Sequence, residues 1–155
     1  MAGQREVSET TLNIPHPYED GVAETWISSH SVGWETRTSI TYAIALKDPG
    51  QLIGTISLTD IDGNHAELGY WIGLPFWGNG YCTEAAAKLI EIAPDEFGIS
   101  DLRAAYLLTN PASGKVLRKL GFRYVGNEKM RDRHGEMVDI GVFLGKLGKP
   151  IHEQA

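Results

Sequence analysis

The chain has 155 residues, a formal net charge of −6 and a single cysteine, Cys82, and 42% of its residues are hydrophobic. This size predicts one domain over residues 1–155, and the lack of a long apolar run predicts no membrane span. The single cysteine cannot form an internal disulfide and no signal-peptide pattern is found, so a reduced, cytoplasmic setting is predicted. A net negative charge argues against general nucleic-acid binding, and it is compatible with a cationic substrate such as an amine.

The first half of the chain predicts a helix followed by an antiparallel meander. Residues 1–14 give no periodic signal, and residues 15–18, with two prolines, break any regular element. After Asp20, apolar spacing predicts a helix that carries on one face Val22, Ala23, Trp26, Ile27 and His30. Three strands joined by tight turns are predicted at residues 39–46, 52–59 and 65–73.

The second half of the chain predicts two helices, a further central strand and a closing hairpin. Thr83 and Glu84 open a helix in which apolar residues recur at helical spacing from Ala86 to Phe97; Pro94 is expected to kink or end this helix near Ala93, and Gly98 to end it in any case. The strand at 102–109 is reached by a crossover, so it is predicted to run parallel to the third strand. A helix at 112–120, ended by Gly121, and strands at 124–128 and 137–144 complete the set. The fold class is therefore α/β (α+β), with a mixed, mostly antiparallel sheet flanked by helices.

A glycine-rich loop joins the third strand to the helix that follows it. Gly78 and Gly80 allow positive φ and a close approach of the backbone to a ligand, and Thr83 and Glu84 place polar groups in the first helical turn. Outward N–H groups at a helix N-terminus form an anion site that suits phosphate. Without further support, such a loop is more often a plain turn, and neither a Walker lysine nor a third glycine is present.

Three motifs supply that support. They are Gly-Tyr-Trp-Ile at residues 69–72, Trp-Gly-x-Gly-Tyr-x-Thr-Glu-Ala at 77–85, and Asn-x-x-Ser-x-x-Val-Leu-x-Lys-Leu-Gly-Phe at 110–122. In order and spacing, across residues 65–145, the chain resembles the GNAT superfamily of acetyl-CoA-dependent N-acetyltransferases. Within the superfamily it is most similar to the RimJ/RimL-like branch, which acetylates the N-termini of ribosomal proteins.

The resemblance implies a GNAT-like fold with acetyl-CoA as cosubstrate and no metal. The backbone N–H groups of Gly78 to Thr83 would hold the CoA pyrophosphate. The third strand would splay from the 102–109 strand, so that the pantetheine enters the gap like an added strand. The implied CoA-binding residues are Trp71, Ile72, Gly78, Asn79, Gly80, Tyr81, Cys82, Thr83 and Asn110.

This sequence departs from the family pattern at three places. Cys82 stands where many members carry Ala or Gly. The tyrosine that many members use as general acid falls on Leu117, and Ser113 resembles the serine that RimJ/RimL-like proteins offer instead. The family's first strand and helix are not found before Pro15, so we expect a trimmed fold, or a replacement by residues 1–14 or by a partner subunit. The shortened sheet exposes an edge, which makes a homodimer plausible.

Acetyl transfer to an amine requires a neutral nucleophile and stabilisation of the departing thiolate. Glu67, at the start of the third strand, is the candidate base; its alternative role is a solvated strand end, and Asp132 and Glu136 are reserves. Ser113 is the candidate donor to the thiolate or to pantetheine; alternatively, its hydroxyl bonds only backbone. Asn110 would otherwise cap the 112–120 helix.

Other residues carry weaker hypotheses. Cys82, at a helix N-terminus, is a conceivable nucleophile, although no motif places a histidine partner and the family transfers directly. Lys115, Arg118 and Lys119 either reach the outer phosphate of CoA or meet solvent. The tryptophans are predicted to be core residues rather than substrate stackers (Trp26, Trp34, Trp71 and Trp77).

The sequence therefore predicts an acetyl-CoA-dependent N-acetyltransferase. The acceptor would be a primary amine, either a protein N-terminus or a small amine. One alternative is a non-catalytic acyl-CoA-binding module that kept the phosphate-binding loop and lost the acceptor site. A second, a nucleotide phosphotransferase, lacks the phosphate-binding lysine and metal carboxylates at usable spacing.

Overall fold

A computed structural model describes residues 22–148 of the chain. The predicted break at 15–18 and the predicted lack of a first strand and helix lie outside these residues. The helices are α1 (Val22–Thr36), α2 (Tyr81–Phe97) and α3 (Pro111–Lys119), and a short 3-10 turn spans Leu74–Phe76. The strands are β1 (Ile40–Ala45), β2 (Leu52–Asp62), β3 (His65–Ile72), β4 (Asp101–Leu107), β5 (Arg123–Arg131) and β6 (Met137–Lys146).

The six strands form one mixed sheet in the order β1-β2-β3-β4-β6-β5. Strands β1 to β3 are an antiparallel meander, as predicted, because tight turns join them. The crossover through α2 makes β3 and β4 parallel, and the closing hairpin adds β6 and then β5 in antiparallel fashion. The predicted sheet, its single parallel pair and its closing hairpin are all confirmed.

The centre of this sheet is only partly paired. Strands β3 and β4 are in register at three positions, where His65, Ala66 and Glu67 lie beside Asp101, Leu102 and Arg103. Beyond these pairs, residues 68–72 are paired only with β2 and residues 104–107 only with β6. The two parallel strands therefore diverge towards their carboxyl ends, and they leave a V-shaped opening of the kind that the family resemblance predicts.

The core lies between the sheet and the buried sides of α2 and α3. Ala86, Leu89 and Ala93 on α2 are buried at the three- and four-residue spacing of a helix face, and Leu117 is buried on α3. From the sheet, the largest fully buried side chains are Phe143, Ile40, Ile53, Leu58, Leu102 and Ile140. Burying a large aliphatic or aromatic side chain contributes about 1.5–3 kcal/mol, so this layer fixes the two helices against the sheet.

Helix α2 runs through Pro94 and does not end near Ala93, so that part of the prediction was wrong. Pro94 removes the N–H that would bond the carbonyl of Ile90, but its ring is buried against the core. The helix then ends at Gly98 as predicted. Gly98 has φ 68° and donates its N–H to the carbonyls of Ala93 and Pro94. Burial of the ring and this cap offset the lost hydrogen bond.

The prediction that the tryptophans are core residues was wrong for three of the four. Trp26, Trp34 and Trp77 are 39%, 47% and 42% exposed, whereas Trp71 is half-buried. Trp34 packs edge-on against Tyr42 and Phe97 at the border of the core. Helical spacing locates the apolar face of α1, but spacing alone does not say how much of that face the neighbouring elements cover.

Tyr106 of β4 lies against two glycines, Gly114 and Gly141. Substitution of a glycine there tests how tightly the ring is packed beneath α3. A Cβ at Gly114 of α3 would lie 3.0 Å from Tyr106 Cζ, and a Cβ at Gly141 of β6 would overlap the ring. We expect Gly141→Ala to lower the free energy of unfolding by roughly 1–3 kcal/mol, because the ring must move in a packed core. The melting temperature should fall by about 2–4 °C for each kcal/mol.

Gly69→Ala is the matched control, because its Cβ would meet only Ser57 Oγ, at 3.7 Å. It should change the free energy of unfolding by less than about 0.5 kcal/mol. Equal melting temperatures for the two variants in thermal denaturation would contradict the described packing of Tyr106.

Candidate functional site

The loop between β3 and α2 has the conformation that its glycines predict. Gly78 and Gly80 both have φ 78°, and Gly80 is the N-cap of α2 in the left-handed region. Only glycine adopts this conformation without a steric penalty. A Cβ added at either glycine would meet no atom within 4 Å, so the surface in front of the loop is open.

The backbone N–H groups of residues 78–83 are available to a ligand. Within residues 22–148 no hydrogen bond uses them as donors, and no side chain caps the start of α2. The first bond of the helix is donated by the N–H of Glu84 to the carbonyl of Gly80, at 3.0 Å. The helix dipole adds roughly half a positive charge at this end. The residues present therefore fit a diphosphate, which supplies negative charge and several acceptor oxygens.

Two side chains hold this loop in place. Trp77 donates its indole N–H to the carbonyl of Ile72 at 2.6 Å and so ties the loop to the end of β3. Asn79 donates its side-chain N–H groups to the carbonyls of Phe76 and Trp77, both at 3.1 Å. The Asn79 side chain is thus used inside the loop, and only the backbone N–H of this residue is available to a ligand. The anchoring by Trp77 was missed in the sequence, because the motif does not reveal where the indole N–H points.

Tyr70 and Ser113 face each other where the two central strands diverge. The Tyr70 hydroxyl lies 2.9 Å from Ser113 Oγ and donates to the Ser113 carbonyl at 3.1 Å. Burial raises the pKa of Tyr70 well above its usual range, so the hydroxyl stays protonated at neutral pH. The alternative in which Ser113 bonds only backbone is wrong. Tyr70 was missed as a site residue, although it belongs to the Gly-Tyr-Trp-Ile motif.

Asn110 lies at the carboxyl end of β4 and is the N-cap residue of α3. Its side chain makes no capping hydrogen bond to the helix, although this position was its predicted alternative role. Its backbone N–H donates to the carbonyl of Leu107 at 2.8 Å, and its carbonyl accepts the N–H of Ser113 at 3.2 Å. The turn therefore fixes both Asn110 and Ser113 beside the opening.

Cys82 does not have the properties of a nucleophile. It lies in the first turn of α2, and burial raises the pKa of its thiol to about 12. The thiolate is the reactive form, and at neutral pH it is a negligible fraction of such a thiol. The hypothesis of a covalent cysteine intermediate is therefore dropped, and Cys82 is a half-buried neutral side chain behind the loop.

Glu67 lies at the apex of the opening, in the last pair between β3 and β4. Arg103 donates through Nη1 to Glu67 Oε1 at 2.8 Å and through Nη2 to Glu128 Oε2 at 2.8 Å. Arg103 was missed in the sequence, because its contact with Glu67, 36 positions away, depends on the register of β3 and β4. No hydrogen bond from the described part of the chain reaches Glu67 Oε2, so one oxygen of this carboxylate can still accept a proton.

The reserve carboxylate Asp132 has a structural task. Its Oδ1 accepts the backbone N–H groups of His134 and Glu136, at 2.8 and 3.0 Å, at the tip of the β5–β6 hairpin. Desolvation alone would raise the pKa of Asp132, but these two hydrogen bonds outweigh it, and the pKa is lowered from its usual value. Asp132 is therefore a turn-forming residue, and Glu136 is exposed at the same tip.

The cations on α3 differ in their surroundings. Lys115 and Lys119 are exposed, whereas the Arg118 guanidinium lies 5.9 and 5.6 Å from the ring centres of Tyr124 and Phe143. Between residues 22 and 148, no cluster of three or more His, Cys, Asp or Glu side chains is arranged to hold a metal ion. In the same part of the chain, no helix is long and apolar enough to cross a membrane.

Comparison with known proteins places these features in a family. Residues 1–123 match the family described as acetyltransferase (GNAT) domain. The chain is 30% identical over 102 residues to the uncharacterized N-acetyltransferase YoaA of Bacillus subtilis (strain 168), covering 64% of this chain and 58% of that protein. It is 30% identical over 107 residues to the uncharacterized N-acetyltransferase p20 of Bacillus licheniformis, covering 66% of this chain and 59% of that protein. The chain thus spans somewhat more than half the length of these relatives.

A solved structure shares the fold. The ribosomal L7/L12 alpha-N-protein acetyltransferase RimL, in complex with coenzyme A, superposes with a TM-score of 0.78 at 18% identity. The alignment covers 94% of this chain and 83% of RimL. At this identity the similarity shows a common fold and leaves the substrates of this chain to be argued from its own residues.

The lowered pKa of Asp132 gives a prediction for the hairpin tip. A carboxylate whose pKa is lower in the folded than in the unfolded state stabilises the fold at pH values above its unfolded pKa, which is about 3.9 for Asp. This stabilisation is lost as the pH falls through the folded pKa. We expect the hydrogen-exchange protection factors of the His134 and Glu136 amides to be high at neutral pH. They should decrease when the pH is lowered below about 4.

Asp132→Asn should lower both protection factors at neutral pH, because an amide oxygen is a weaker acceptor than a carboxylate. Protection of Leu144, a β6 residue that pairs with both Arg103 and Arg123 far from the hairpin tip, serves as the control and should stay unchanged. Equal protection of His134 and Glu136 in the variant and the wild type would contradict the turn-forming role.

Proposed function

The chain belongs to the GNAT acetyltransferase domain family, and on that premise we propose that it transfers the acetyl group of acetyl-CoA directly to a primary amine. The observation that carries the proposal is the open loop with free N–H groups at 78–83, beside two diverging strands. Such a site suits a ligand with a diphosphate at one end and an amide-containing chain at the other. CoA has both, and the fold is shared with the CoA complex of RimL.

The donor substrate would be held by backbone groups along its length. The diphosphate accepts hydrogen bonds from residues 78–83 at the positive end of α2. The pantetheine arm lies between residues 68–72 and 104–107, where both strands offer an unpaired edge to an added strand. Asn110, which follows β4, would hydrogen-bond a pantetheine amide, as the family resemblance implies.

The reaction is a single displacement at the thioester carbonyl. The amine nitrogen attacks the acetyl carbon, a carbon–nitrogen bond forms, and the carbon–sulfur bond breaks with its electron pair left on sulfur. The proton that the amine loses goes to Glu67, directly or through a water molecule, and Ser113 Oγ donates a hydrogen bond to the departing thiolate. Holding both reactants in one opening supplies much of the rate.

The acceptor is a protein N-terminus or a small primary amine. Deprotonation at pH 7 costs about 1 kcal/mol for an α-amine and roughly 4–5 kcal/mol for a lysine-like amine. An α-amine therefore needs only a mild base, which suits a Glu67 carboxylate that shares one oxygen with Arg103. RimL, which has the same fold, is described as an alpha-N-protein acetyltransferase of ribosomal L7/L12.

A non-catalytic acyl-CoA-binding module is the second candidate. Two observations favour it: Leu117 is buried where many family members carry a catalytic tyrosine, and Arg103 engages the candidate base. Release of thiol from acetyl-CoA with a panel of primary amines separates the two. Thermal stabilisation by CoA without thiol release would favour the binding module.

Gly80→Asp tests the phosphate-binding loop. The substitution puts a carboxylate beside the diphosphate and a side chain on a backbone with φ 78°, so we expect CoA binding to weaken by at least about 100-fold in calorimetric titration. Gly63→Asp is the matched control, because Gly63 has φ 59° and lies in the β2–β3 turn, outside the loop. The control should bind CoA as the wild type does, and unchanged affinity of the Gly80 variant would contradict the loop assignment.

Glu67→Gln tests the base. More of the acceptor amine is protonated at pH 6 than at pH 9, so we expect turnover to fall by about 10- to 100-fold at pH 6 and by much less at pH 9. Glu128→Gln breaks the other ion pair of Arg103 and leaves Glu67 in place, so its pH profile should match that of the wild type. A loss in the Glu67 variant that is the same at both pH values would count against its role as base.

A further inference from the structure

One side-chain hydrogen bond spans the opening between the diverging strands. Tyr70 belongs to β3, three residues beyond the last pair with β4, and Ser113 belongs to the first turn of α3, which follows β4. Their hydroxyl oxygens are 2.9 Å apart, although the residues are 43 positions apart in sequence. The bond therefore connects the two walls of the opening that is proposed to receive the acetyl donor.

The hydrogen atoms in this pair have two consistent arrangements. In one, Tyr70 donates to the Ser113 carbonyl, 3.1 Å away, and Ser113 Oγ donates back to Tyr70. In the other, Tyr70 donates to Ser113 Oγ, and the hydroxyl hydrogen of Ser113 is free to point at a ligand. In both, the partner of Ser113 is the same oxygen, so the position of Ser113 Oγ is fixed.

We propose that Tyr70 is a positioning residue that holds Ser113 Oγ, accepts or releases its hydrogen bond, and thereby directs the Ser113 hydroxyl at the sulfur of the departing thiolate. The proposal rests on the acetyl-transfer function proposed above. A developing thiolate is an acceptor without a hydrogen to donate, so it selects the arrangement in which Tyr70 donates to Ser113. The opening then contains a preorganised donor aimed at the charge that develops.

No proton leaves Tyr70 in this scheme. Burial keeps the phenol protonated, so it is a stable donor and a poor proton source. When the carbon–sulfur bond breaks, the electron pair stays on sulfur, Ser113 stabilises it by a hydrogen bond, and the thiolate takes its proton from solvent after release. The proton that the amine loses leaves separately, through Glu67 or water, so atoms and charges balance.

The test is a double-mutant cycle of Tyr70→Phe and Ser113→Ala, with kcat, the KM for acetyl-CoA and the melting temperature measured for each protein. Because Tyr70 acts through Ser113, we expect Y70F to lower kcat by about 10- to 100-fold, the range for a misplaced group. S113A should lower kcat at least as much, and adding Y70F to S113A should change kcat by less than about twofold. The KM for acetyl-CoA should stay within about threefold in all variants.

Tyr42→Phe is the matched control. Tyr42 is a half-buried tyrosine of β1, and its ring packs against Trp34 and Phe97, outside the opening between β3 and β4. Removal of its hydroxyl should leave kcat within about twofold of the wild type. A larger loss in Y42F would show that removal of a half-buried tyrosine hydroxyl lowers turnover in general, and it would overturn the specific role of Tyr70.

Two other outcomes would also overturn the proposal, and they are distinct. In the first, the wild type is active, and Y70F lowers kcat by the same factor in the wild-type background as in the S113A background. This result would show that Tyr70 acts independently of Ser113, and the acetyl-transfer function would stand. A wild type that binds CoA and transfers no acetyl group to any primary amine would overturn the function and this role together.

Discussion

The end of the hydrogen-bonded ladder between β3 and β4 is the constraint on which the rest of the site depends. Pairing stops after Glu67 and Arg103, and each strand continues with a different neighbour on its far side. The core buries side chains of both α2 and α3, so packing against the sheet holds these two helices in place. One event in strand pairing therefore creates the unpaired strand edges, sets the start of α2 beside them and brings Ser113 opposite Tyr70.

Much of this arrangement could be predicted from the sequence. Tight turns at Asp62 to Asn64, helical spacing in α2 and the crossover to β4 specified a mixed sheet with one parallel pair. Gly78 and Gly80 predicted a left-handed loop, and the downstream Asn-x-x-Ser motif pointed to the GNAT family, which the comparison confirms. These features are local, so a short stretch of residues is enough to define them.

Features that depend on tertiary contacts could not be predicted in the same way. Pro94 was predicted to kink or end α2 near Ala93, but the helix continues through the buried Pro94 and ends at the Gly98 cap. Trp77 was assigned to the core, whereas its indole anchors the loop to Ile72. The Tyr70–Ser113 and Arg103–Glu67 contacts join residues 43 and 36 positions apart, and their geometry follows from strand register and helix placement. The roles of Glu67, Ser113 and the CoA-binding residues stay proposals.

The measurement that tests this account most directly is a crystal structure of the protein with acetyl-CoA. We expect the diphosphate oxygens within hydrogen-bond distance, about 2.7–3.2 Å, of the backbone nitrogens of residues 78–83. The pantetheine arm should lie between residues 68–72 and 104–107, with its sulfur beside Ser113. A diphosphate bound elsewhere, or a pantetheine arm that lies outside the opening between β3 and β4, would contradict it.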